Sequence, residues 1–104
     1  MRDHLLAVFE IQSALAAGQY DRAADIAERR LGMTSLEAHG ARHMADMMPS
    51  GMQAIGTAMH HTASRFAVTA QEAAVTGDLS RALGALSEII QQCVACHAGY
   101  RLVP

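Results

Sequence analysis

Glycines at positions 18, 32 and 77 and a proline at 49 cut this 104-residue chain into stretches whose apolar residues return every three or four positions. That period belongs to amphipathic helices. Only two prolines occur, Pro49 and Pro104, so no stretch carries an internal helix breaker. The first stretch, about 2–17, places Leu5, Val8, Gln12 and Leu15 on one stripe, with Leu6 and Phe9 widening it; Gly18 supplies a C-terminal cap. The second runs from Tyr20 or Asp21 to Leu31. Asp21 is its expected N-cap, Asp25 and Glu28 oppose Arg29 and Arg30, and its apolar face is small: Ala23, Ala24, Ile26, Ala27 and Leu31. Residues 33–51 are the least regular part and are expected to hold a short helix over about 35–46. The third long helix is predicted over 50–76, with Met52, Ile55, Met59, Thr62 or Ala63, Phe66 and Ala70 as its seam. The fourth follows Asp78, an expected N-cap, and runs to about 102; Leu79, Leu83, Leu86, Ile89 or Ile90, Cys93, Cys96 or His97, and Tyr100 form its inner stripe. The expectation is an all-α, antiparallel four-helix bundle, one domain over 1–104, with a short extra helix in the second connection.

The only two cysteines fall in Cys93-Val94-Ala95-Cys96-His97. On a helix these three chemically active side chains stand at i, i+3 and i+4 and leave one face together, with Tyr100 on the same face. The spacing reads as attachment of a c-type haem: two thioethers to vinyl groups, and an imidazole beneath the iron. Other readings of the same residues are a redox Cys-x-x-Cys pair, half of a zinc site, or two buried thiols. Zinc requires a second pair of ligands, and no second Cys-x-x-Cys exists. A thioredoxin-like pair belongs in a βαβ context that the helical pattern does not offer.

Composition excludes several classes. The net charge is −2, and its eight cationic residues, all arginine, form no patch dense enough for nucleic acid. No apolar run is long enough to span a bilayer. No Ser/His/Asp or glycine-rich phosphate signature is present, so an enzyme is not expected. Aromatics are confined to Phe9, Phe66, Tyr20 and Tyr100, and a haem would contribute much of the bulky apolar volume this chain lacks.

Four antiparallel helices ending in Cys-Val-Ala-Cys-His-Ala-Gly-Tyr-Arg, residues 93–101, resemble the cytochrome c′ and cytochrome c-556 family. The likeness extends weakly through Gly77-Asp78 and the third helix, and Gly18-Gln19-Tyr20 faintly echoes the family's first turn. The resemblance implies a covalent haem c on Cys93 and Cys96, His97 as proximal ligand to the iron, and Tyr100 and Arg101 near the proximal face and propionates. It implies electron transfer with an unidentified redox partner protein, or binding of a diatomic gas such as NO or CO. It also implies dimers through the first two helices, where Ala23 to Ala27 would permit close packing. Two departures matter: the chain is short for the family, and its first helix has no internal Met where low-spin members carry the sixth ligand. Two states of the iron follow. In one it is five-coordinate, with Leu5, Val8 and Phe9 as an apolar distal wall. In the other the Met- and His-rich connection, placed by up-down topology at the haem end, closes the site, with Met44 first, then His43 and His39, and His4 after them.

A competing reading is a copper-handling bundle. Seven Met, six His and two Cys make a soft-ligand inventory, with Met44, Met47, Met48 and Met52 clustered. Because haem is joined to cysteine outside the cytoplasm, a periplasmic location is expected, with a leader removed ahead of this chain; Met1-Arg2-Asp3-His4 itself opens directly into an amphipathic segment.

Overall fold

The computed structural model describes residues 2–36 and 47–100. It contains α1 (Arg2–Ala16), α2 (Tyr20–Arg30), a 3₁₀ turn (Met33–Ser35), α3 (Ser50–Thr76) and α4 (Leu79–Gly99), and no strand among the described residues. The architecture is an all-α helical bundle. The extra helix expected over 35–46 lies almost wholly outside the described residues.

Local chemistry sets the ends. Gly18 and Gly77 take φ of +73° and +75°, the left-handed region that glycine enters without Cβ strain. At the end of α1 the amides of Gly18 and Gln19 donate to the carbonyls of Leu15 and Ala14, a Schellman closure. At the end of α3 the Gly77 amide donates to Ala73 O at 2.7 Å, the simpler left-handed cap. Asp78 then caps α4 as expected, its Oδ1 accepting from the Arg81 amide at 3.0 Å. The expected cap of α2 needs correction: the helix starts one residue earlier, with Gln19 at the cap position and no side-chain bond there. Asp21 sits instead in the first turn, where its charge meets the positive end of the helix dipole.

Successive helices pack side by side in the order α1, α2, α3, α4, while α1 and α4 touch at few points. The core is mostly alanine: Ala7 and Ala14 of α1 meet Ala23, Ala24 and Ala27 of α2, and α3 adds Ala63, Ala67, Ala70 and Ala73 around the fully buried Phe66. Leu86 and Ile89 bring α4 into the same cluster. The inward stripe of α1 is therefore rotated from the expected one. Ala7, Ile11, Ala14 and Leu15 are buried, Val8 is half-buried, and Leu5, Leu6 and Phe9 are exposed. Small side chains let two helix axes approach closely, so they occupy the contact line and displace bulkier neighbours to the flank. The same holds on α4, where Leu79 and Leu83 face outward. The alanines of α2 are likewise consumed within the bundle, so that face is not the one available to a second copy.

Charge fastens α1 to the end of α2. Arg30 donates to Asp3 Oδ1 at 2.7 Å and pairs with Glu10, whose Oε2 is buried against it. Asp25 and Arg29 form the expected i, i+4 pair at 2.9 Å, well exposed. Glu28 instead accepts from Ser64 Oγ of α3 at 3.1 Å and from the Thr34 hydroxyl at 3.2 Å. Because Arg30 holds two carboxylates in a partly shielded position, Arg30→Ala is expected to cost about 1–2 kcal/mol. Asp25→Ala is expected to cost under about 0.5 kcal/mol. Urea melts of both variants at low and high salt check this; only the Arg30 deficit should survive in salt.

Candidate functional site

The motif lies on the last turns of α4. Cys93 is half-buried and packs against the core, Cys96 is half-buried, and His97 is exposed. Both thiols are free. Burial pushes the Cys93 thiol up from its ordinary value, the nearby Cys96 adds to that, and a backbone hydrogen bond partly offsets it. A thiol whose neutral form is favoured by folding loses that advantage as pH climbs through the raised value.

Which way the motif faces follows from its neighbours. On α4, Arg81 pairs with Glu72 of α3 at 3.4 Å, and Arg81, Ala85 and Glu88 line a shallow recess with Thr69 of α3. That flank of α4 therefore faces α3. At about 100° per residue, Leu83, Ile90, Val94 and His97 lie on the opposite flank. On α1, Asp3 and Glu10 face α2 through Arg30. Leu5, Val8 and Gln12 lie on the flank turned the other way, while Phe9, opposite the buried stripe, points away from the bundle. Both outward flanks border the edge between α1 and α4, where the bundle is least closed.

The two flanks also meet at one height. α3 and α4 are the arms of a hairpin folded at Gly77–Asp78, so His60 on one arm stands level with Ala95 on the other. His60 in turn lies beside His4 of α1, with ring centroids 6.2 Å apart and planes at 85°. The first turns of α1 thus run beside residues 90–97 of α4. At that height Leu5 is 74% exposed, Phe9 63%, Val94 61% and Ile90 38%. Leu5, Ile90 and Val94 are thus large apolar side chains left uncovered on the two flanks that border this edge.

His60 is the buried hub of this end. Its Nδ1 lies 2.5 Å from Leu31 O, at the end of α2, and 3.4 Å from Ser35 Oγ of the 3₁₀ turn. Its neighbour His61 is exposed, as consecutive positions on a helix require. The sequence pattern singles out neither ring.

Tyr100 departs from expectation. The helix ends at Gly99, and Tyr100 is extended (φ −137°, ψ 146°), with its amide donating to Cys96 O at 2.9 Å. Its ring therefore leaves the motif's face and crosses to α3, where its hydroxyl sits over Gly51 in the space a Cβ would fill. The end of α4 is thereby tied to the start of α3, the end at which the Met- and His-rich connection joins. Arg101 lies outside the described residues, as do Met44, His39 and His43. Of the remaining methionines named for copper, Met47 is exposed and Met48 and Met52 are half-buried. Among the described residues no three His, Cys, Asp or Glu side chains converge on a point able to hold a metal ion. No helix of the described chain is long and apolar enough to cross a membrane.

The fold and the placement of these residues define a small helical bundle whose last helix carries a cysteine–histidine motif, with Cys93 against the core, Cys96 on the flank toward α3 and His97 on the flank at the less closed edge. No protein-family model matches the chain, and no curated protein or solved structure matches it either.

Two outcomes follow from the geometry. Gly51→Ala drives a methyl into the Tyr100 hydroxyl, so the gain of about 1 kcal/mol that alanine brings to an exposed helical position is expected to be lost to displacement of the ring, and Tyr100→Phe should restore most of it; thermal melts of the two single variants and the double variant decide it. Cys93 should alkylate severalfold more slowly at pH 8 in the folded chain than the same residue in urea, a difference that peptide mapping measures, and the gap should narrow as pH rises past the ordinary thiol range.

Proposed function

We propose that the chain is a c-type haem protein that carries electrons or binds a small diatomic gas. The observation that carries this reading is the coincidence of two features. Cys93, Cys96 and His97 stand on the same turns of α4 at which α1 and α4 leave large apolar side chains uncovered. A flat apolar macrocycle linked to α4 would lie against Ile90 and Val94 on one side and Leu5 and Val8 on the other, with Phe9, expected from the sequence in the same wall, turned outward. Covering those side chains would return buried area worth roughly 25 cal/mol per Å².

The chain's own residues have distinct tasks. Each thiol adds across one vinyl group: sulfur bonds to one vinyl carbon and the thiol hydrogen passes to the other, with no external oxidant or reductant. Reduced, unpaired cysteines are what that addition requires. His97, in its neutral form, offers a ring lone pair as proximal ligand. Leu5 and Val8 would exclude water from the far side. The bound haem would supply a one-electron couple, with a potential set by axial ligands and exposure. Arg101 is assigned to the propionates from its place in the motif. A periplasmic site of assembly is part of the same proposal.

The test is direct. Protein produced with haem-attachment machinery should carry one covalent haem by intact mass and give a c-type pyridine haemochrome that survives acid-acetone extraction. Cys93→Ser and Cys96→Ser should each leave a single thioether, and the double variant should release its haem. Colourless wild-type protein without added mass would reject the reading.

A further inference from the structure

We infer that His4 is the second axial ligand of the haem iron, facing His97 from α1. This rests on the haem reading above. It goes beyond that reading by closing the iron's sixth position with a residue of the first helix instead of leaving it open or filling it from the connection.

Three observations carry the assignment. The first is height. His4 lies beside His60, and His60 is level with Ala95, so His4 on α1 and His97 on α4 stand at the same height of the bundle. The second is side. His4 is half-buried between the inward stripe of α1 and the flank carrying Val8, so its ring is turned to the interior of the bundle end on the side of the open edge. Leu5 and Phe9 are largely exposed, and neither has a donor atom. The third is support. Ligating imidazoles are held in place by the shell behind them. Here the neighbour of His4 is a buried histidine pinned by Leu31 O at 2.5 Å and by Ser35 Oγ. The ring of His60 stands at 85° to that of His4, which restricts how His4 can turn. α1 itself is fixed at this end by Arg30 holding Asp3, the residue before His4. A ligand on a clamped first turn, backed by a fixed ring, is better preorganised than one on a loop.

Two imidazoles would make the iron six-coordinate and low-spin. They would give a lower potential than a thioether–imidazole pair and slow uptake of gases. The reading therefore selects electron transfer over gas binding.

The experiment uses the haem-loaded full chain. Electron paramagnetic resonance and visible spectra of the ferric wild type should show a low-spin centre of the bis-imidazole type. His4→Ala should convert it to high-spin, and the ferrous form should bind CO at least tenfold faster. His4→Met should stay six-coordinate with a raised potential, and His61→Ala, an exposed control, should match wild type. A high-spin wild type, a thioether signature in the wild type, or a low-spin His4→Ala would each overturn the assignment. So would conversion to high spin on His60→Ala with His4→Ala unchanged. The wild-type spectrum tests the ligand type even if a variant fails to fold. In all of these outcomes the haem mass and haemochrome remain as before, so failure of the ligand assignment is distinct from failure of the haem reading.

Discussion

Alanine against alanine sets the spacing of this bundle. Where Ala7 and Ala14 meet Ala23, Ala24 and Ala27, and where α3 brings Ala63, Ala67 and Ala70 to the same region, the backbones come together over single methyl groups. Phe66 is the only large ring that fits between them. Close approach on this side has a geometric consequence on the other. α1 has spent its small residues on the core, so its bulky residues Leu5, Leu6 and Phe9 fall outward, and the row of helices does not close over them. The exposed apolar edge is thus a product of how the core is packed.

Leu5, Ile90 and Val94 stand in water along that edge, and the proposed haem would cover them. A group held there would lie in a groove between two helices rather than in an enclosed cavity, with one rim near solvent. The ties at this end reinforce the groove without filling it: Arg30 fixes the start of α1, His60 joins the end of α2 to α3, and Tyr100 crosses to Gly51.

Much of the fold was legible in the sequence because its boundaries depend on local chemistry. Gly18 and Gly77 need no tertiary information to adopt a left-handed conformation, and Asp78 caps with its own side chain. The motif was legible as spacing. The inward face of α1 was not, because an apolar stripe is normally judged by its largest members, and here the small ones win the contact. Asp21 looked like a cap by residue type, yet the chain enters α2 one position earlier. Tyr100 matched the helical repeat, but its path is decided by a glycine 49 positions back in the chain, with no Cβ in the way of its hydroxyl. The open edge was invisible for the same reason: it depends on which pairs of helices meet, a property of the assembly and not of any one stripe.

A nucleus of methyl groups responds unequally to change in its two directions. Trimming one of these positions removes a single carbon, and little emptiness results. Enlarging one wedges the rods apart along their whole length, since neighbouring positions share the same line of approach. The sites least tolerant of substitution in this molecule should therefore be its plainest residues, and the bulky ones along the outer flank, which wedge nothing apart, should accept change far more readily.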